Sequence, residues 1–249
     1  MKKPIIAFFM AWGMFSAIPC PYKRWDNSLR PLMISLLPLI GLLLGAVWLL
    51  AAYLLRLLGL TSLFGAAVLT ALPFLLTGFI HLDGYMDCCD AILSRRDLQE
   101  RQRILKDSHT GAFAVICLVL LVMLSFSLFA SWDYLNLLPL LFIPAASRSV
   151  SSLAVNILKP MGHSSYSGAY NENKKLGGNI FPLLALLLSC ALCLVFGSLA
   201  AVGTLIGSVL AVWYADRQLG GMSGDVSGYG ITSGEACGIL VMVLEGLIR

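Results

Sequence analysis

Long apolar runs, separated by a few polar stretches, dominate the chain. Residues 31–55 form a run long enough to cross about 30 Å of hydrocarbon as a helix. A second run covers 61–80 and contains Pro73 and Gly78, both tolerated in membrane helices and able to bend one. Further runs cover 111–130, 134–158 and 180–196, and a sixth continues to 214. The last, 233–248, is short for a span and crosses only if its ends snorkel. The pattern predicts seven transmembrane helices, or six if the last run does not cross. At the N-terminus two Lys precede Pro4, and the apolar stretch ends in a poor cleavage site. An uncleaved interfacial or re-entrant segment is expected there.

The polar connections alternate between long and short. Long ones cover 81–110, 159–179 and 216–235, and short turns lie near Gly59, Trp132 and Gly197. With the N-terminus inside, Lys2, Lys3, Lys23, Arg24, Arg30 and all the long connections fall on one side, which the positive-inside rule identifies as cytoplasmic. A transport path would scatter polar groups across the bilayer, so one-sidedness points to chemistry at one face. The expected fold is all-α, a polytopic integral membrane helix bundle of about six to seven helices. Residues 1–249 would form a single membrane-embedded catalytic domain in the inner (plasma) membrane, with cytoplasmic active-site loops.

Composition agrees. The chain is 59% hydrophobic and 12% charged, against about 25% charged in soluble domains, so it has too few charges to cover a surface facing water. Its net charge of +4 comes without a long basic stripe, and no nucleic-acid partner is expected. The seven Cys lie largely in or beside apolar runs and read as small buried hydrophobes, with no disulfide framework and no structural zinc expected.

Candidate chemistry gathers where the second run ends. Asp83, Asp87 and Asp90, spaced by four and three, share one face of a helix. Three carboxylates repel one another unless a cation intervenes. Mg²⁺ or Mn²⁺ suits such ligands, and it would also touch substrate phosphates. The plainer reading is a solvated helix end paired with Arg95 and Arg96. His81 is a general base, a phosphate contact or an interfacial histidine. Residues 94–113 read as an amphipathic helix in which Arg95, Arg96, Arg103 and Lys106 neutralise phosphate or acidic lipid, or are simple surface charges. Asp107 is a second metal ligand or a local charge partner. Arg148, inside an apolar run, must face protein, water or phosphate. The polar loop 162–175, with Gly177 and Gly178, either closes over a large substrate or is plainly exposed. The glycine-rich segment 216–235 reads as a loop exposing backbone N–H groups to phosphate, with Asp225 binding metal or orienting a hydroxyl. It lacks the GK[ST] of a Walker loop.

Taken together and in order, FSAIPCP, PLIGLLLGA, HLDGYMDCCDAI, ILKDSHTGAF, AASRS and GGMSGDVSGYG followed by GE resemble the cobalamin synthase family. The resemblance implies transfer of the cobinamide-phosphate group of adenosylcobinamide-GDP to α-ribazole or α-ribazole 5'-phosphate, with release of GMP. It implies Mg²⁺ held by Asp83, Asp87, Asp90, Asp107 and Asp225. Catalytic roles are expected for Asp83, Asp87, Asp90 and His81, and substrate contacts for Arg95, Arg96, Lys106 and Arg148. Membrane lipid is a further expected partner, and a homo-oligomer is compatible with the reading. A membrane CDP-alcohol phosphotransferase shares the logic of an acid-rich helix end, but its DGxxAR…GxxxDxxxD pattern is absent. A transporter is permitted by Arg148 and the prolines, and opposed by the one-sided polar loops.

Overall fold

Gly41 and Gly45 stand four residues apart in the first long run, and this spacing builds the central contact of the bundle. They lie in α3 (Leu37–Leu57) and face α8 (Pro139–Ile157). A Cβ at Gly41 would sit 2.3 Å from the Pro144 carbonyl oxygen, and one at Gly45 would sit 2.4 Å from that of Leu141. The two backbones therefore touch, as small residues four apart allow between membrane helices.

The computed structural model describes residues 2–162 and 178–248. The polar loop 162–175, apart from Gly162, lies outside them, as does Gly177. Among the described residues the remaining helices are α1 (Lys3–Phe15), α2 (Arg30–Ser35), α4 (Leu63–Leu76), α5 (Ile80–Leu93), α6 (Leu98–Ile104), α7 (Ala112–Ala130), α9 (Ile180–Val195), α10 (Ala200–Leu219) and α11 (Gly224–Ile248). No strand is formed among them, only an isolated bridge between Pro160 and Met222. The all-α membrane bundle is thus observed.

The number of spans differs from the expectation. Among the described residues, α3, α7, α8 and α11 are long and apolar enough to cross a membrane. The α4–α5 pair, bent by 92°, adds a fifth if it is one broken span. The fifth run yields only the 16 residues of α9, because Gly197 turns the chain at φ +75°. α10 is diluted by Gly203, Thr204, Gly207, Ser208, Asp216 and Arg217. The last run gains instead: α11 starts at Gly224 and has 25 residues, so it is a full-length candidate span.

The segment 216–235, expected as a loop, is therefore mostly helix. Only the turn at Gly220 (φ +78°) and Gly221 (φ +150°) breaks it. The glycines of α11 serve packing: Gly230 meets Val212, Gly234 meets Ser208 and Gly238 meets Thr204. Glycine weakens a helix in water, but here it admits neighbouring helices too close for any side chain.

α8 is the axis of the bundle. Its apolar window is 78% buried, against 22% for α7, so α7 turns most of its apolar surface outward. Buried hydroxyls in α8 are satisfied locally or across helices. Ser149 donates to the Ala145 carbonyl at 2.8 Å, and Ser152 donates to that of Ile34 at 2.9 Å.

The two ends of the bundle differ. At one end Arg56 donates to the Tyr134 carbonyl, and Glu245 accepts from Ser198 and from the Leu199 amide. At the other, Gln102 donates to the Leu219 carbonyl at 2.8 Å, and the Met161 amide donates to the Met222 carbonyl at 3.0 Å. The long polar connections meet at this second end.

Candidate active site at the crossing of α5 and α11

Two consecutive left-handed residues, Gly78 (φ +59°) and Phe79 (φ +65°), turn the chain sharply out of α4. Glycine takes this conformation freely, whereas Phe79 takes it at a cost. The Ala17 amide donates to the Leu76 carbonyl at 2.8 Å and so ties the N-terminal segment to the bend. α5 then runs as a regular helix, with Asp83, Asp87 and Asp90 on one stripe and the buried Gly84, Cys88 and Ala91 on the next.

The buried stripe brings in the fourth acid. A Cβ on Gly84 would lie 2.8 Å from Asp225 Cα, and one on Gly228 would lie 2.8 Å from the His81 carbonyl oxygen. Backbone contact at this crossing sets Asp225, in the first turn of α11, beside the acid stripe. Asp87 lies within the fields of Asp83, Asp225 and Asp90. Ser223 donates to Asp225 Oδ2 at 3.3 Å. The Asp90 carboxylate lies over Gly111, where a Cβ would come within 2.0 Å of its oxygen.

No Lys or Arg among the described residues forms an ion pair with any of these four carboxylates. The pairing with Arg95 and Arg96 that the plainer reading required is absent: both are exposed where α5 ends, Arg95 at φ +55°. The donor set is hard oxygen with net negative charge, which suits Mg²⁺. No three His, Cys, Asp or Glu side chains among the described residues form a group able to hold a metal ion by themselves. An ion there would have to keep several waters and take further oxygens from a phosphate, as Mg²⁺ commonly does.

The other candidates are placed elsewhere. Asp107 accepts from the His109 amide at 3.0 Å and lies 2.7 Å from His109 Nδ1, with Arg103 at 3.9 Å. The His109 hydrogen bonds hold its carboxyl below the usual range, and its charge partners are His109 and Arg103 rather than the α5 acids. The ring of His81 lies in the interior, stacked on Phe15 at 6.2 Å, and its Nε2 has no partner among the described residues. Its position on α5 is off the acid stripe. Lys106 edges a shallow concavity of about 450 Å³ with Gln99, Gln102, Arg103 and Asp107. The amphipathic helix expected over 94–113 shortens to α6, because Arg95 leaves helical geometry and Asp97 starts a new helix by accepting from the Glu100 amide at 3.0 Å.

Arg148 is 2% exposed and ion-paired with Glu235 of α11, with Ser147 donating to the same carboxylate at 3.0 Å. The structure thus brings Arg148 to an internal partner and not to the acid stripe. Sequence reasoning missed Glu235 in this role. The signal was present, since an arginine in an apolar helix calls for a carboxylate at similar depth, and Glu235 sits in the last run. It also missed the stacked pair of Tyr85 and Tyr229, 5.5 Å apart beside the crossing, which two tyrosines far apart in sequence do not announce.

Comparison with known proteins bears on this geometry. Residues 7–243 match the family described as cobalamin-5-phosphate synthase. A protein of Clostridium botulinum (strain Alaska E43) named adenosylcobinamide-GDP ribazoletransferase is 37% identical over 249 residues, covering 96% of this chain and 97% of the relative. One of the same name from Clostridium perfringens (strain 13) is 36% identical, covering 95% and 96%. Another from Geobacillus thermodenitrificans is 31% identical, covering 94% of each. No solved structure matches the chain. An acid-lined crossing in an all-α membrane bundle, matched along nearly its whole length, places this chain in the cobalamin-5-phosphate synthase family.

Proposed function

We propose that the chain transfers the cobinamide-phosphate group of adenosylcobinamide-GDP to α-ribazole or its 5'-phosphate. The products are GMP and adenosylcobalamin or its 5'-phosphate. The carrying observation is the set of four carboxylates, Asp83, Asp87, Asp90 and Asp225, gathered at one crossing without a protein cation.

In this reading a ribazole hydroxyl attacks the phosphorus bonded to cobinamide, the bond from that phosphorus to the bridging oxygen breaks, and GMP leaves. Asp83, Asp87, Asp90 and Asp225 would hold Mg²⁺, while Asp107, turned to His109 and Arg103, stands apart from them. Bound there, Mg²⁺ supplies charge stabilisation at the pyrophosphate. The chain's own groups do the rest. Ser223 orients Asp225 through its hydrogen bond. Arg95, Arg96 and Lys106 are exposed beside α5 and α6 and draw in the phosphates. Asp90, on the acid stripe, is better placed than His81 to take the hydroxyl proton. Arg148 supports the site through Glu235 and the seating of α11. The bias of Lys and Arg toward one end supports a plasma-membrane protein with this site on the cytoplasmic side.

The test is turnover by purified protein in detergent or lipid nanodiscs, given adenosylcobinamide-GDP, α-ribazole and Mg²⁺, with GMP and cobamide followed together. Both products are expected with Mg²⁺ and neither with a chelator. Asp83→Asn should abolish turnover in a protein that still folds. Absence of metal-dependent GMP release would sink the assignment, and near-normal turnover by Asp83→Asn would remove its metal role.

A further inference from the structure

A sizeable concavity lies away from the acid stripe. It is a groove of about 660 Å³ between α1 and the segment that follows it. This segment folds back onto α1 through specific bonds. The indole N–H of Trp12 donates to the Ile18 carbonyl at 3.0 Å, and Cys20 Sγ donates to the Phe9 carbonyl at 3.5 Å. The Ala17 amide anchors the same segment to the α4–α5 bend, and Phe15 stacks on His81. The groove is therefore fixed to the start of the acid-bearing helix.

Its lining has two characters. Phe9, Met14, Tyr22 and Trp25 give flat apolar and aromatic surface, while Lys23 and Arg24 sit at one side. Trp25 is 51% exposed, although its N–H is already held by Asn27 Oδ1 at 2.8 Å. Neither Lys23 nor Arg24 forms an ion pair among the described residues. An aromatic wall beside cations without ion-pair partners matches a flat heteroaromatic base carrying a phosphate. The volume falls within the roughly 300–1,000 Å³ of small-molecule sites. It suits a mononucleotide better than a corrinoid. The wall offers few side-chain hydrogen-bonding groups, which favours an apolar base such as a benzimidazole over guanine, whose edge needs several polar partners.

We propose that this groove is the acceptor site, holding α-ribazole 5'-phosphate with its base against Trp25 and Tyr22 and its phosphate at Lys23 and Arg24. The inference rests on the transferase reading and deepens it by naming the residues that hold the acceptor.

Two measurements test it on the full-length protein. Binding is followed without turnover, by quenching of tryptophan fluorescence on adding α-ribazole 5'-phosphate, α-ribazole or GMP. Steady-state turnover is measured with each acceptor. Lys23→Ala with Arg24→Ala should raise KM about tenfold or more for the phosphorylated acceptor. It should leave KM for unphosphorylated α-ribazole and for adenosylcobinamide-GDP unchanged. Met14→Trp, which fills the groove, should weaken binding of both acceptors and not of GMP. The proposal is overturned if the double variant keeps the wild-type preference, if GMP binding weakens instead, or if the only change is weaker association with anionic phospholipid vesicles, which would make the cations a lipid-headgroup contact. Loss of turnover by the wild-type protein with either acceptor would count against the transferase reading. Normal turnover with an unchanged acceptor preference counts against the groove alone.

Discussion

Replacing Gly84 by Ala tests whether the crossing of α5 and α11 sets the reaction centre. The added methyl would lie 2.8 Å from Asp225 Cα and 3.0 Å from its carbonyl oxygen. Carbon atoms rest at about 3.5–4.0 Å, so the helices must part by about 1 Å. Both neighbours are backbone atoms, and no side-chain rotation relieves the contact. A displacement of about 1 Å in a positioned reactive group lowers rate on the order of 10²-fold, equivalent to about 2.7 kcal/mol of transition-state stabilisation. Overpacking also destabilises by about 1–3 kcal/mol, so the variant is expected to fold with a lowered melting point. The assay is kcat for GMP release at saturating Mg²⁺, with helical circular dichroism and a single size-exclusion peak confirming the fold. Gly162→Ala is the control, because nothing among the described residues lies within 4 Å of a Cβ there. A Gly84→Ala enzyme with wild-type kcat would refute the idea that Asp225 is held at the acid stripe by backbone contact.

Two further substitutions probe the surroundings. Gly111→Ala places a methyl against the Asp90 carboxylate; it should raise the Mg²⁺ concentration for half-maximal rate about 10–100-fold, as other changes around metal ligands do, and an unchanged Mg²⁺ titration would detach Asp90 from metal binding. Arg148→Met leaves Glu235 buried without its partner and should destabilise by about 3–5 kcal/mol, whereas adding Glu235→Leu should restore most of the loss. Thermal unfolding in detergent reads both, and a double variant no more stable than the single one would contradict the pairing.

The sequence carried the fold class because lipid-facing helices require apolar runs of a set length, and α3, α7 and α8 lie where those runs lie. The acid stripe was legible for a similar reason: the spacing of Asp83, Asp87 and Asp90 has meaning on any helix, and α5 is one. Gly78 was legible as a bend, but Phe79 in a left-handed conformation was not, since a bulky side chain takes that conformation only at a cost. The stretch 216–235 misled because glycine marks loops in water and close packing between membrane helices. Nothing local reveals that Gly84 meets Asp225, for the contact joins residues on separate helices. The pairing of Arg148 with Glu235 spans 87 positions. It was readable only as a need for some partner, without its identity.

That separation orders the assembly of the chain during synthesis. Made from its N-terminus, the protein presents Arg148 to the insertion machinery 87 residues before Glu235 exists. Until the last helix arrives, the guanidinium has in its own helix the Pro144 carbonyl and the Ser147 hydroxyl, without a counter-charge. The same helix delivers Asp225. A chain that stops early thus lacks both the counter-charge that seats α8 and the fourth acid of the crossing. Completion of the bundle and completion of its chemistry become one event, because a copy that stops before α11 leaves Arg148 without its carboxylate partner.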